Sequence, residues 1–339
     1  MSGEQPGLLE GAIPPERNTV LYGHDLQQEF LATAYRSGRM HHAILIEGAE
    51  GIGKATLAYR FAHHVLTHPD PLKAPDQISD PDLDVPVGRQ ISSGASHSVL
   101  HLARPVDEKT GKAKSVITVD EVRRAGKFFG QTSGTGNWRV AIIDPADDLN
   151  RNAANAILKI LEEPPKRSLF LVLSHTPGRL LPTIRSRCLS LKLNPLSAPD
   201  LNRALGHLGA APGETDAIIR LSEGSVSRAL LLRNYGGVEI AEAFVDILER
   251  GSLDNREPIY KLAETLAARD RDVAYDFFTG FAVDRVQQMA REAGAAGDLA
   301  EADRLARMSV TLSDHFATAA AFNLDRKQTV LHVFSIFFG

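Results

Sequence analysis

The sequence predicts an α/β fold, with a phosphate-binding loop on a parallel sheet, followed by a helical C-terminal part. Two observations predict the sheet. Short apolar runs alternate with segments of helical periodicity up to about residue 194, and a glycine-rich stretch, GAEGIGKAT, joins the first run to a helix. This order is typical of a parallel, doubly wound sheet. A third observation predicts the rest: beyond Asn194-Pro195 the periodic segments are helical.

Apolar runs mark the candidate strands of this sheet. They are Ala43 to Ile46, a strand beginning at Ser115, Val140 to Ile143, and the segment SLFLVLSHT from Ser168. The segment LSLKL, residues 189–193, is a further candidate strand, although it includes Ser190 and Lys192. Continuous apolar runs of this length are expected where helices cover both faces of a parallel sheet. The run at Ser115 leads into a helix that we predict to be capped by Asp120 and ended by Gly130.

The 339 residues are enough for two or three domains. We predict a flexible arm at 1–17, an α/β nucleotide-binding core at 18–194, a small helical unit at 195–237 and a helical domain at 238–339. In the last helix, Val330, Phe334 and Phe337 recur at i, i+4 and i+7, so they are expected to share one buried face.

Composition limits the functional classes. The formal net charge is −4, so no global basic field draws the chain onto nucleic acid. The one cysteine, Cys188, can form neither an intrachain disulfide nor a cysteine-based zinc site. No run approaches the roughly 18 apolar residues of a membrane span, and the first residues have no signal pattern. We therefore expect a cytoplasmic protein without a membrane partner.

A segment dense in proline and aspartate, residues 68–86, is predicted to be a solvated, acidic loop. Several histidines lie in or near it: His63, His64, His68, His97 and His101. Their spacing fits no standard set of metal ligands, so we assign no metal there.

The glycine-rich loop is the candidate cofactor site. Gly48, Gly53 and Lys54 fit the pattern G-x-x-x-x-G-K-[ST], in which loop amides and the lysine cradle nucleotide phosphates. The next residue should be a serine or threonine, whose hydroxyl holds a magnesium ion. Ala55 stands there instead. The sequence therefore predicts a nucleotide loop that lacks one part of the metal site.

Two interpretations of this loop stay open. In the first, the amides around Gly51 and the ammonium of Lys54 hold ATP or ADP, because a lysine needs no metal to contact phosphate. In the second, the loop is a turn that meets no ligand. Thr56 lies about 100° further round the helix and does not replace the missing hydroxyl, so magnesium-dependent hydrolysis is not expected in either case.

The segment LNRNAANAILKILEEPPKRSLFLVLSHTPGRLLPTIRSRCLSLKL resembles the core of the bacterial clamp-loader AAA+ family, and the motifs NAILKILEEPP and SRC carry the resemblance. The resemblance implies an AAA+ core at 18–194, a three-helix lid at 195–237 and a collar at 238–339 that joins subunits in a ring. It also implies the partners delta, tau/gamma, the sliding clamp and, through the complex, primed DNA. Many relatives carry a four-cysteine zinc module after the loop helix; this chain has no cysteine there, so no zinc is expected.

The resemblance also assigns roles to residues at the loop. Asp144 matches the metal-binding aspartate of the second motif, but Pro145 stands where active members have a glutamate. Ser174 or Thr176 matches the first nucleotide sensor. In the lid, Ser227 occupies the place of the sensor arginine. Arg228 comes one residue later and is expected to be an exposed helix residue.

Arg187 lies in an intact SRC motif, whose arginine reaches the γ-phosphate bound by a neighbouring subunit in the family that this chain resembles. Such an arginine finger contributes about 10³ to 10⁵ in rate. The alternative is a surface arginine in an ion pair. Cys188 is expected to be a packing residue.

These residues lead to one hypothesis and two alternatives. The hypothesis is a clamp-loader subunit that hydrolyses no ATP itself and donates Arg187 in trans. The first alternative is a hydrolysing, tau/gamma-like subunit, and the second is an unrelated phosphate-loop enzyme such as a small-molecule kinase.

Overall fold

The structure, a computed structural model, describes residues 8–107, 113–130, 137–211, 216–250 and 256–338. Its strands are β1 Ala43–Glu47, β2 Val99–Leu102, β3 Arg139–Ile143, β4 Ser168–Ser174 and β5 Leu189–Lys192. The helices between and after them are α1 Asp25–Arg36, α2 Lys54–Thr67, α3 Pro86–Ser92, α4 Val119–Gly130, α5 Arg151–Glu162, α6 Pro182–Arg185, α7 Ala198–His207, α8 Asp216–Ser222, α9 Val226–Asn234, α10 Gly237–Arg250, α11 Glu257–Ala267, α12 Asp272–Ala295, α13 Leu299–Phe322 and α14 Arg326–Phe338.

The five strands form one parallel sheet in the order β2-β3-β4-β1-β5. Side chains alternate between its faces. Ile44 and Ile46 pack with Phe61 of α2 on one face, whereas Leu45 packs with Ile157 of α5 on the other. Both faces are therefore buried under helices, and the predicted doubly wound α/β sheet is confirmed.

One predicted strand is wrong and one strand was missed. Ile117 makes only an isolated bridge with Leu149, and α4 already begins at Val119, so Asp120 lies in its first turn and is not its cap. One edge of the sheet is β2 instead, paired along its length with β3. Its four residues include the exposed His101, which hides the apolar signal of an edge strand.

The predicted N-terminal arm lies partly outside the described residues, which begin at residue 8. Near its end, Arg17 Nε donates to the carbonyl of Ser92 at 3.1 Å. The acidic loop contains a short 3-10 turn at Pro71–Lys73, and α3 begins at its last predicted residue. Arg60 in α2 is buried and pairs with Asp80 at 2.7 Å, which fastens the loop to the core.

Two compact units divide the chain. The first comprises residues 1–212 with 223–227, and the second comprises 213–222 with 228–339. The four-part division predicted from the sequence is finer and stays a prediction. The second unit has an aromatic core in which Phe244 lies 5.7 Å, between ring centres, from both Phe334 and Phe337. Val330 and Phe334 are buried and Phe337 is partly buried, so the predicted face of the last helix packs into this core.

None of the described helices combines the length and the apolar character that crossing a membrane requires.

Candidate functional site

The candidate site lies at the carboxyl edge of the sheet, where parallel strands bring their ends together. The phosphate-binding loop connects β1 to α2, Asp144 follows β3, and Ser174 ends β4. Glu47 pairs with Ser174 in the sheet, and the N–H of Gly48 donates to the Ser174 carbonyl at 3.2 Å. The structure thus brings together the loop, Asp144 and Ser174, which the sequence places far apart.

Two glycines let the loop pass closely under a neighbouring segment. Gly51 has φ 74°, and a Cβ on it would lie 2.5 Å from both Ser225 Oγ and Ser227 Cβ. Gly53 has φ 102° and directly precedes the first residue of α2. Any other residue at Gly51 would meet both a strained backbone and a clash, so the glycine pattern is required here whether or not a phosphate binds.

Lys54 points at the carbonyl oxygens of its own loop. Its Nζ donates to Gly48 O at 2.8 Å and to Ala49 O at 2.5 Å. The side chain is buried, and burial lowers its pKa to about 8 against the opposing attraction of Asp144 and Glu50. Two of the three ammonium protons are therefore committed to the loop itself.

The other loop carbonyls are also held by side chains and amides of the same unit. Ser225 Oγ donates to Glu50 O at 2.8 Å, and the N–H of Val226 donates to Gly51 O at 2.9 Å. The ring of His24 lies 2.8 Å from Ile52 O. The loop is consequently fastened to the segment 223–227, which begins the helix that the resemblance assigns to the lid.

The positions after Lys54 offer no metal ligand. Ala55 packs against the apolar cluster under α2, and Thr56 is buried within the helix. Pro145, after Asp144, has no side-chain oxygen. Asp144 is then the one carboxylate that these motif positions supply. A magnesium ion requires more oxygen ligands than that, so the residues do not fit a catalytic magnesium site.

Two histidines flank Asp144, and sequence reasoning gave neither a role there. His101 Nε2, from β2, lies 3.9 Å from Asp144 Oδ2, and His175 follows Ser174 directly. Burial raises the pKa of Asp144, while His101, His175 and Lys54 oppose that rise. The buried part of each ring also lowers the pKa of both histidines, although the outer part of the His101 ring is accessible to water. Had β2 been predicted, His101 could have been assigned to this site, because parallel strands bring their carboxyl ends to the same edge of the sheet.

Asp147, in the short turn after β3, holds the end of β4 in place. Its carboxylate accepts from Ser174 Oγ at 3.0 Å, from the N–H of His175 at 2.7 Å and from the N–H of Thr176 at 3.1 Å. Burial alone would raise the pKa of Asp147, but these hydrogen bonds outweigh it and the pKa is lowered. The candidate sensor Ser174 is therefore already engaged by a carboxylate.

In α9, Ser227 abuts Gly51, but the arginine beside it turns elsewhere. Arg228 was expected to be exposed; instead it is half-buried and pairs with Asp284 of α12. Arg228 can reach Asp284 because residues 228–234 belong to the second compact unit, as does α12.

Arg187 lies just after α6, on the surface. Its Nη2 pairs with Glu162 Oε1 at 2.7 Å, and its Nη1 donates to the carbonyl of Thr183 at 3.0 Å. The ion pair considered as the alternative is present, with about a third of the Arg187 side chain exposed. Glu162 is 25 positions away in sequence, and nothing in its motif indicated this contact.

Cys188 packs against the apolar cluster that contains Ile184. Burial raises the pKa of its thiol to about 11. These properties are those of a packing residue and not of a nucleophile.

Comparison with known proteins decides the family. A family model described as DNA polymerase III, delta subunit, matches residues 23–197, just over half of the chain. The chain belongs to this DNA polymerase III subunit family. The match confirms the clamp-loader family that the LEEPP and SRC motifs indicated.

Relatives in the family include subunits of two kinds. The chain is 34% identical over 198 residues to the delta-prime subunit of Pseudomonas aeruginosa and 32% identical over 209 residues to that of Escherichia coli. These matches cover 58% and 60% of this chain, and 56% and 58% of those relatives. The tau subunit of Escherichia coli is 29% identical over 224 residues, which cover 64% of this chain and 32% of tau. The comparisons therefore favour delta-prime over the tau alternative.

Proposed function

We propose that this chain is a delta-prime-like subunit of the DNA polymerase III clamp loader. In this proposal it hydrolyses no ATP itself, joins delta and tau/gamma in the complex, and helps load the sliding clamp onto primed DNA. The names of the relatives support the assembly, and the net charge of −4 is consistent with DNA contact through the complex. The observation that carries the proposal is the pairing of an incomplete phosphate site with an intact SRC motif.

The lack of hydrolysis follows from three separate residues. Ala55 removes the loop hydroxyl that would hold magnesium, and Pro145 removes the carboxylate that would orient water. Ser227 stands at the position of the sensor arginine. It lies beside Gly51 and supplies no cation to the loop. Each of these losses removes a different interaction, so no single replacement elsewhere in the site restores the chemistry.

The loop has a structural role in this proposal. The side chain of Lys54 and the segment 223–227 occupy carbonyls from Gly48 to Gly51, so the loop joins two parts of the first unit without a ligand. ATP or ADP, where it is held, contacts the loop amides and Lys54 and is not turned over. The cofactor is thus at most a structural one.

Arg187 acts on a neighbour's nucleotide in this proposal. A guanidinium keeps its charge at working pH, and its fork of donors suits the oxygens of a γ-phosphate. Support comes from its place on the surface after α6 and from the intact motif around it. The chain would then lower the barrier of a reaction whose other catalytic groups lie in a partner subunit.

Phosphate release by the purified chain tests this function against the tau/gamma-like alternative. With ATP and magnesium we expect a rate equal to that of Lys54→Ala, because neither protein has a complete site. A rate that is clearly above background and lost in Lys54→Ala would establish the alternative instead.

A further inference from the structure

The ion pair between Glu162 and Arg187 joins the two motifs that identify the family, LEEPP and SRC. We propose that Glu162 is a positioning residue that holds Arg187 against its own chain until a polyphosphate in the neighbouring subunit displaces it. This inference rests on the proposed role of Arg187 as an arginine finger. It adds that Glu162 controls when Arg187 is available to the neighbouring subunit.

The backbones on both sides of the pair are fixed by the core. Glu162 ends α5 directly after Leu161, and Arg187 follows α6, whose Ile184 is 1% exposed. Leu161 and Ile184 belong to the same apolar cluster. The two charged side chains are therefore brought together by packed helices, so the pair is a built-in contact and not a chance meeting of mobile side chains.

The pair uses donors that a phosphate would need. Arg187 Nη2 faces Glu162 Oε1 at 2.7 Å, while Nη1 faces Thr183 O at 3.0 Å and Ser186 Oγ at 3.4 Å. A guanidinium presents five N–H donors in one plane, and a carboxylate and a phosphate both bind across that fork. Glu162 and a γ-phosphate are thus competing anions for one cation.

The exposure of the pair makes the competition reversible. About half of the Glu162 side chain and a third of the Arg187 side chain are accessible to water. Exposed pairs are weak and screened by salt, whereas a triphosphate offers more charge and more acceptor oxygens. The γ-phosphate therefore displaces Glu162 from Arg187 when a neighbouring subunit holds ATP. After the phosphate is released, Arg187 pairs with Glu162 again.

Glu162→Gln in the reconstituted complex tests the inference, with Glu163→Gln as its control. Glu163 is exposed, and among the described residues it forms no ion pair, so both variants remove the same charge from the same helix end. The quantity to measure is clamp-stimulated ATPase against ATP concentration. If Glu162 competes with ATP for Arg187, a higher ATP concentration is needed for the half-maximal rate. The reason is that only the fraction of Arg187 released from Glu162 can bind the phosphate.

We expect Glu162→Gln to lower that half-maximal ATP concentration by about 1.5- to 5-fold, with the maximal rate within about twofold of wild type. Glu163→Gln should leave both quantities unchanged. The shift should also shrink at high ionic strength, where the pair is screened; a merely structural role would not give this dependence. An unchanged half-maximal concentration, or a reduced maximal rate with normal thermal unfolding, would overturn the inference. Failure of the proposed function is separate, since it would appear as an Arg187→Ala complex with wild-type ATPase.

Discussion

At the scale of single residues, small replacements change what the carboxyl edge of the sheet can do. Ala55 and Pro145 remove oxygen atoms from a site whose backbone is otherwise formed, and Lys54 turns to its own loop. Asp147 accepts three hydrogen bonds from residues at the end of β4. Polar groups at this edge therefore stabilise the fold.

Asp147→Asn should lower the free energy of unfolding by about 1–3 kcal/mol at neutral pH, because three hydrogen bonds lose their charged acceptor. The pKa of Asp147 is lowered in the fold, so its stabilisation is present above its unfolded pKa and is lost as pH falls through the folded value. The difference between wild type and variant should thus shrink below about pH 4. Urea denaturation at several pH values measures it.

Asp148→Asn is the matched control, since Asp148 makes a partly exposed pair with Arg104 at 3.1 Å. Such a pair contributes about 0–1 kcal/mol. An equal loss of stability in the two variants would contradict the role assigned to Asp147.

The thiol of Cys188 should react slowly with iodoacetamide. Burial raises its pKa to about 11, so the thiolate is scarce near pH 8. We expect alkylation roughly 100-fold slower than for a free cysteine, and a normal rate once the chain is unfolded in guanidinium. Rapid alkylation of the folded protein would mean that the residue is exposed and reactive.

At the scale of elements, long apolar runs were predictable, whereas of the two short edge strands β5 was predicted and β2 was not. The buried strands β1, β3 and β4 each contain at least four consecutive apolar residues, and each was predicted within a few residues. The edge strand β2 has only four residues, and one of them is polar. The apolar run at Ser115 forms only an isolated bridge at Ile117. Whether a short segment becomes a strand depends on its pairing with a neighbouring strand, and this pairing is a property of the whole sheet.

The same limit applies to the site. The positions of the loop, Asp144 and Ser174 followed from strands and motifs, because parallel strands share one carboxyl edge. The contacts of Asp147 with residues 174–176 and of Glu162 with Arg187 join distant parts of the chain. Sequence periodicity carries no information about such long-range pairs, so only the packed structure supplies them.

Gly51→Ala tests how tightly the loop is fastened to the segment 223–227. Gly51 and Gly94 have φ 74° and 71°, but a Cβ on Gly94 meets no atom within 4 Å, whereas one on Gly51 clashes with Ser225 and Ser227. Gly94→Ala should therefore cost about 1 kcal/mol for the backbone alone. Gly51→Ala should cost about 1–3 kcal/mol more because neighbours must move.

Urea denaturation followed by tryptophan fluorescence measures both variants. The single tryptophan, Trp138, lies in the first unit, 5.6 Å from the ring of Tyr35, so it reports on the unit that contains both glycines. Equal midpoints for the two variants would show that the segment 223–227 does not rest on the loop.

At the scale of the whole molecule, the loop that stabilises the fold and the residue proposed to act in catalysis are different parts of the chain. The phosphate-binding loop of this chain joins parts of its own first unit, and its family membership places the chain among subunits of DNA polymerase III. In the proposed complex, the catalytic contribution is made by one arginine to a site in a neighbour. Loss of that arginine should lower the rate of ATP hydrolysis by the complex and leave folding and assembly intact.

The most direct test is clamp-stimulated ATPase of the reconstituted complex with Arg187→Ala, compared with Arg185→Ala. Both arginines are accessible and only two residues apart, and Arg185 forms no ion pair among the described residues. The variants therefore differ in the proposed finger and in its partly exposed contacts with Glu162 and Thr183. We predict that Arg187→Ala slows hydrolysis at the neighbouring subunit's site by about 10³- to 10⁵-fold. The total ATPase rate of the complex should then fall by at least the contribution of that site. Arg185→Ala should keep the wild-type rate. A wild-type rate for Arg187→Ala in a fully assembled complex would contradict the account.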